Sequence, residues 1–243
     1  MTRLHLVCRM HTLGIILAGG SSRRMQLSAG GGKAAVVVAG RPLLGHVCDA
    51  IRPAVDRLVI VAAPDQPLPD VGCSDAIVPD SRPGAGPLAG IADALRAAGA
   101  DVAKAFVASC DVPLLKTAVV RLLLASIDEP GVAWAVPWVA DHPQVLVSAM
   151  RPTLLPEIEA VLAAGRRDPR GLIDRLRLAG SDSGSPLRLI ASEELQKVDP
   201  NLESFADIDT PDDLARIKAC LLYSAPWRPD IPARGGRSRA DDG

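Results

Sequence analysis

The chain has 243 residues, of which 48% are hydrophobic and 23% charged, so it can build a full core within one large domain. Its net charge of −1 and aromatic content of 2% argue against a nucleic-acid partner, because such partners need basic surfaces and stacking side chains. No apolar run approaches the ~20 residues of a membrane span, so no membrane partner is expected. The five scattered cysteines follow neither a disulfide nor a metal-ligand spacing, which indicates reduced thiols and a cytoplasmic location.

Apolar periodicity and turn residues predict strands that alternate with helices, and therefore an α/β fold with an open, parallel sheet. We expect one domain over residues 13–223, after a flexible leader at 1–12 and before a disordered tail at 224–243. The predicted extended segments are Leu13–Ala18, Ala34–Ala39, Arg57–Ala62, Ala76–Val78, Ala105–Ala108, Val132–Pro137, Val145–Ala149 and Leu187–Ala191, with a loop at Trp138–Pro143. The predicted helices are Leu43–Arg52, Pro87–Ala98, Thr117–Ile127, Pro152–Ala164, Gly171–Leu178 and Pro211–Leu222.

A glycine-rich segment follows the first predicted strand. Gly19 and Gly20 precede Arg23 and Arg24, and a second glycine cluster leads to Lys33. Glycines let backbone N–H groups approach phosphate oxygens, while arginine and lysine offset the negative charge. The spacing is neither the Walker pattern nor the dinucleotide fingerprint, and an ordinary strand-to-helix turn remains the alternative.

Two aspartates follow other predicted strands at the positions where those strands end. Asp80 comes after the third strand and Asp111 after the fourth. In open α/β sheets ligands bind beyond the carboxyl ends of the strands, so both aspartates and Gly19 should face one crevice. A carboxylate suits Mg²⁺ beside phosphates. Alternatively, Asp111 caps the next helix and Asp80 belongs to a turn.

Several segments together resemble one enzyme family. In chain order they are ILAGGSSRRM, Lys33, GPLAGI, CDVPLL, the block from DHPQ to DPRGL, and FADIDTPDDL. They are similar to the blocks of molybdenum cofactor guanylyltransferase, and they extend over residues 13–222. The resemblance implies a three-layer α/β/α fold with a mostly parallel, Rossmann-like sheet of the nucleotide-diphospho-sugar transferase type. It also implies a single nucleotidyltransferase domain.

The family's reaction is Mg²⁺-dependent transfer of GMP from GTP to the terminal phosphate of molybdopterin, forming molybdopterin guanine dinucleotide and pyrophosphate. The resemblance thus implies GTP and molybdopterin as partners, together with other molybdenum cofactor biosynthesis proteins or molybdoenzymes. It assigns nucleotide contacts to Leu17, Ala18, Gly19, Lys33, Asp80 and Asp111, catalytic roles to Arg24, Lys33 and Asp111, and the metal to Asp111.

The chain departs from the family pattern at three places near this crevice. The glycine loop is longer, with Gly32 where an aspartate usually precedes the lysine. Ala62-Ala63 stand after the second strand, where the family has an asparagine. Asp207 and Asp209 replace the asparagines that usually precede the TP dipeptide.

These departures leave two alternative functions open. One is a related enzyme that uses CTP with molybdopterin, or that acts on a sugar or polyol phosphate. The other is a nucleotide-binding module that has lost turnover. The residues that bind the second substrate have no short signature, although Arg166, Arg167 and Arg170 would suit its phosphate as well as they suit a solvated helix end.

Overall fold

The structure is a computed structural model that describes residues 10–19, 32–179 and 185–224. Most of the predicted leader, the predicted tail and Arg24 lie outside the described residues. No helix in the described part is long and apolar enough to cross a membrane.

A mostly parallel sheet forms the centre of the fold. Its strands lie in the order β10-β7-β9-β6-β1-β4-β5, with β8 paired to β7, while β2 and β3 form a separate hairpin. Only β9 runs antiparallel to its two neighbours along this order, β6 and β7. The strand bounds are β1 His11–Leu17, β2 Val37–Val38, β3 Arg41–Pro42, β4 Arg57–Ala62, β5 Ala76–Pro79, β6 Val102–Ser109, β7 Trp134–Val139, β8 His142–Pro143, β9 Val147–Met150 and β10 Leu187–Ile190.

Helices cover both faces of the sheet. Their bounds are α1 Leu43–Ile51, α2 Pro87–Ala98, α3 Thr117–Ser126, α4 Leu155–Ala163, α5 Arg170–Ala179, α6 Ser192–Leu195 and α7 Pro211–Ser224. Short 3₁₀ turns lie at Lys33–Ala35, Arg52–Ala54, Pro152–Leu154 and Glu203–Phe205. Side chains of α1 and α3 pack in one buried cluster, and those of α2, α4 and α5 pack in a second cluster on the opposite face. The predicted three-layer α/β/α fold is therefore confirmed.

Alternation along β1 explains how one strand serves both cores. Leu13 and Ile15 pack with α2, whereas Ile16 packs with α1, and all three are fully buried. Successive side chains of a strand point to opposite faces, so a strand covered on both sides must be apolar throughout. This strand starts at His11, two residues before the predicted start, because the His11 N–H donates to the Asp101 carbonyl.

The prediction for Ala34–Ala39 as one extended piece is wrong. The chain first makes a 3₁₀ turn at Lys33–Ala35 and then the two-residue strand β2. Val38 is buried and packs with Leu43 on α1 and Ile217 on α7. The helical turn before it directs the Val38 side chain toward these residues. Apolar composition alone could not distinguish this tertiary contact from a strand.

The predicted loop at Trp138–Pro143 is also wrong, because β7 and β8 form an antiparallel hairpin there. Ala140 and Asp141 make its turn with positive φ angles of 50° and 61°. Two left-handed residues suit a tight hairpin turn, but the Ala-Asp pair carries a weaker signal for it than Asn-Gly would. The sequence reading also overlooked the short helix α6.

Candidate active site

A cavity of about 790 Å³ opens at the carboxyl ends of β1, β4, β5 and β6. This volume lies within the range of small-molecule sites. Backbone hydrogen bonds tie the strand ends together, since Cys110 N donates to Leu17 O at 3.1 Å and Ala18 N to Val61 O at 2.8 Å. The cavity wall includes Leu17, Gly19, Gln66, Asp80, Gly86, Asp111 and Arg167.

Beside this cavity an ammonium group lies between two carboxylates. Lys33 Nζ is 3.0 Å from Oδ2 of Asp111 and 2.5 Å from Oδ1 of Asp209. The side chains of Lys33 and Asp111 are only 17% and 16% exposed, whereas that of Asp209 is 44% exposed. The lysine therefore links the end of β6 to the segment that precedes α7.

The charges around Lys33 change the acid–base behaviour of this region. Burial by itself lowers the pKa of Lys33, but hydrogen bonds and charges from Asp209 and Asp111 outweigh it and raise the pKa above 10.5. Loss of hydration, followed by the charges of Asp209 and Asp111, raises the pKa of Asp207. The ammonium is thus firmly charged, and negative potential accumulates beside it.

A second ion cluster anchors the segment that carries Asp207 and Asp209. Lys116 Nζ lies 2.6 Å from Oδ1 of the fully buried Asp199, and the Ser204 N–H donates to the same carboxylate at 2.8 Å. The Ile208 N–H donates to the Asp111 carbonyl at 3.1 Å. These contacts fix the segment against the end of β6 and explain how residue 209 reaches Lys33.

The predicted site residues occupy three kinds of position. The cavity wall includes Leu17, Gly19, Asp80 and Asp111. Ala18 is buried next to the wall, and Lys33 contacts it through the ion pair with Asp111. Arg24 lies outside the described residues. The structure thus brings the described candidates together, and their individual chemical roles stay predictions.

Two further residues lie on the cavity wall, of which Gln66 was not assigned from the sequence and Arg167 was considered there only as one of three arginines. Gln66 had no motif around it, and its place depends on how the chain turns after β4. Arg167 belongs to the group Arg166, Arg167 and Arg170, for which the sequence indicated either the phosphate of the second substrate or a solvated helix end. It lines the cavity and has no ion pair within the described residues, whereas neighbouring Arg166 pairs with Asp174 at 2.9 Å.

The carboxylate at the end of β6 suits a cation that takes some of its ligands from the protein and the others from a substrate. Asp111 supplies hard carboxylate oxygens, and the position of Lys33 shows that these carboxylates attract positive charge. Among the described residues, no group of three or more His, Cys, Asp or Glu side chains is arranged to hold a metal ion alone. A Mg²⁺ ion here would therefore take its remaining ligands from phosphates and water, as this ion commonly does.

The thiol next to Asp111 is unsuited to covalent catalysis. Burial and the adjacent Asp111 charge raise the pKa of Cys110 to about 12, so the thiol stays protonated near neutral pH. A cysteine nucleophile acts as the thiolate, which is scarce at such a pKa. Cys110 therefore packs in the core beside the site and is not a candidate nucleophile.

Gly86 fixes the distance between two walls of the cavity. Its φ is +89°, and an added Cβ would lie 2.5 Å from the Arg167 carbonyl oxygen. Gly84 has a similar φ of +82°, but an added Cβ meets no atom within 4 Å. We expect Gly86→Ala to lower the free energy of unfolding by about 1–3 kcal/mol more than Gly84→Ala, because only the former adds a steric clash. Urea unfolding of both variants measures the difference, and equal losses would contradict the clash.

The fold and the crevice together define a nucleotidyltransferase of the three-layer α/β/α class. Residues 14–179 match the family model described as the MobA-like NTP transferase domain, so the chain belongs to this family. A molybdenum cofactor guanylyltransferase from Desulfosudis oleivorans is 33% identical over 208 residues, covering 86% of this chain and 95% of that protein. The resemblance seen in the sequence motifs is thereby confirmed.

Solved structures agree with this assignment. Molybdopterin-guanine dinucleotide biosynthesis protein A from Archaeoglobus fulgidus superposes with a TM-score of 0.70 at 25% identity, covering 87% of this chain and 99% of that one. The 2-C-methyl-D-erythritol 4-phosphate cytidylyltransferase from Thermus thermophilus gives a TM-score of 0.62 at 18% identity, covering 86% and 98%. The latter shares the fold, and its identity is too low to inform on the substrate.

Proposed function

We propose that this protein transfers GMP from GTP to the terminal phosphate of molybdopterin in a Mg²⁺-dependent reaction that releases pyrophosphate. The names of its relatives support this substrate pair. The observation in the structure that carries the proposal is the contact between Lys33 and Asp111 at the cavity. It places a cation suited to phosphates beside a carboxylate suited to Mg²⁺ at one edge of the cavity.

The chemistry asks little of the protein beyond position and charge. A terminal phosphate oxygen of molybdopterin forms a bond to the α-phosphorus of GTP. The bond from that phosphorus to the oxygen bridging the α- and β-phosphates breaks. The electron pair leaves with pyrophosphate. Because the attacking oxygen is already ionised at neutral pH, a dedicated general base is not required, and rate enhancement comes from orientation and electrostatic stabilisation.

Each wall of the cavity contributes to that orientation. The backbone at Leu17 and Gly19 can lie against the nucleotide, Asp80 faces it from the end of β5, and Lys33 offsets negative charge on the phosphates. Asp111 would hold Mg²⁺. When bound, this ion would stabilise the negative charge that develops on the α-phosphate and on the departing pyrophosphate. Arg167, which lines the cavity and has no ion pair within the described residues, is suited to the acceptor's phosphate.

A pyrophosphate-release assay tests this function. The protein is incubated with GTP, CTP or ATP, with and without molybdopterin and Mg²⁺, and we expect pyrophosphate only when GTP, molybdopterin and Mg²⁺ are all present. Release with CTP but not GTP would contradict the guanylyl assignment and favour a cytidylyl relative. GTP binding without any release would instead favour the nucleotide-binding module, since Asp209 adds negative charge beside Lys33.

A further inference from the structure

The side-chain amide of Gln66 extends the pairing of two strands beyond their ends. Its Nε2 donates to the Ala18 carbonyl at 3.0 Å, and its Oε1 accepts from the Ala63 N–H at 3.3 Å. The last backbone bond between these strand ends runs from Ala18 N to Val61 O. The amide therefore takes the place of one more backbone peptide between the end of β1 and the end of β4.

A tight turn holds this side chain in place. The Gln66 N–H donates to the Ala63 carbonyl at 3.1 Å, and Asp65 within the turn has a φ of 60°. Both ends of the Gln66 side-chain amide are thus tied to backbone groups next to the cavity. Because Ala18 directly precedes Gly19 on the cavity wall, the amide fixes the backbone that leads to Gly19.

The order of the strands gives the position of Gln66 along the crevice. Asp111 follows β6, Gly19 follows β1, Gln66 follows β4 and Asp80 follows β5, and these four strands are consecutive neighbours. At about 4.8 Å between strands, Gln66 lies roughly 10 Å along the sheet from the Lys33–Asp111 pair. A nucleotide with its phosphates at that pair would reach Gln66 with its nucleoside.

We propose that Gln66 is a positioning residue for the nucleoside of the bound nucleoside triphosphate, and this role rests on the proposed function. It acts through the backbone of Ala18 and Gly19, and Gln66 itself lines the cavity. An amide has two N–H donors and two acceptor lone pairs, so a donor and an acceptor remain after its contacts within the described residues.

Replacing Gln66 by alanine tests the proposal through two ligands. We expect Gln66→Ala to weaken GTP binding about tenfold, since one hydrogen bond contributes about that factor, and to leave binding of inorganic tripolyphosphate unchanged. In turnover assays the KM for GTP should rise about tenfold, with kcat within about twofold of the parent. Isothermal titration calorimetry and pyrophosphate release supply the two measurements.

Two more variants separate this role from a general effect of Gln66 on the backbone around Ala18. Gln66→Glu keeps an acceptor for Ala63 but loses the donor to Ala18, so its GTP binding should fall at least as far as that of Gln66→Ala. The control is Gln196→Ala, which alters an exposed glutamine away from the cavity and should leave both ligands unaffected.

The outcomes distinguish the two proposals. Equal weakening of GTP and tripolyphosphate, or unchanged GTP binding in Gln66→Ala, would overturn the role of Gln66 while leaving the proposed function intact. A parent protein that binds no GTP would overturn both. Selective weakening of GTP in both Gln66 variants supports the positioning role even where the acceptor differs from molybdopterin.

Discussion

Replacing Asp111 by asparagine is expected to lower kcat/KM for GTP at least about a hundredfold, with the fold intact. The asparagine keeps the shape of the side chain but loses the charge that faces Lys33 and that would hold Mg²⁺. Loss of one electrostatic contact in a transition state typically costs about 10²–10³ in rate. The backbone carbonyl of residue 111 still accepts the bond from Ile208, so the end of β6 keeps its position.

The control for this experiment is Asp49→Asn. Asp49 is 56% exposed and pairs with Arg41 on the surface, so its replacement removes the same charge far from the chemistry. We expect the control to keep its activity and its thermal stability. Asp111→Asn should also unfold close to the parent, because the asparagine oxygen can still accept a hydrogen bond from Lys33, which keeps its ion pair with Asp209. Activity of Asp111→Asn within about threefold of the parent would refute a metal-binding role for Asp111.

The second large effect is expected for Lys33→Met, which should lose both GTP affinity and stability. Without the ammonium, Asp111 and Asp209 face each other across the place that it occupied. We expect about 10- to 100-fold weaker GTP binding and a loss of about 1–3 kcal/mol in the free energy of unfolding, because charged hydrogen bonds are lost and carboxylates repel. Because the pKa of Lys33 is raised, the stabilisation is complete below its ordinary pKa of 10.5 and disappears as the pH rises through the raised pKa.

Two companion variants isolate the role of the lysine. In Lys33→Met/Asp209→Asn the repulsion is removed, so stability should recover in part while GTP affinity stays low. Lys104→Met is the matched control, since Lys104 is 24% exposed and pairs with Asp128 away from the cavity. Titration calorimetry and urea unfolding report the two quantities, and a double variant that regained full GTP affinity would rule out phosphate binding by Lys33.

Most of the sheet and its helices could be predicted from the sequence, because strong apolar patterns decide them locally. The segment Arg57–Ala62 is a strand with the predicted bounds, and Pro87–Ala98 is a helix that starts at a proline and stops at Gly99. The prediction for Ala34–Ala39 failed because Val38 packs against α7, and no local pattern in the sequence encodes this tertiary contact.

The site residues could be predicted where a functional side chain directly follows a strand. They were harder to predict where segments distant in the sequence come together. Asp80 and Asp111 could be placed in one crevice because parallel strands share an edge. Asp209 was recognised only as an added charge, since nothing near it in the sequence indicates an ion pair with Lys33. Gln66 was missed for the same reason, because its partners become visible only once the turn after β4 is formed.

The contact between Lys33 and Asp209 also has a consequence for the timing of biosynthesis. The two residues are 176 positions apart in the chain. At typical rates of about 5–20 residues per second, roughly 10–35 s of translation separate them. The emerging polypeptide makes β1, β4 and β6 well before then, so the ion pair between Lys33 and Asp209 closes only after these central strands have been made.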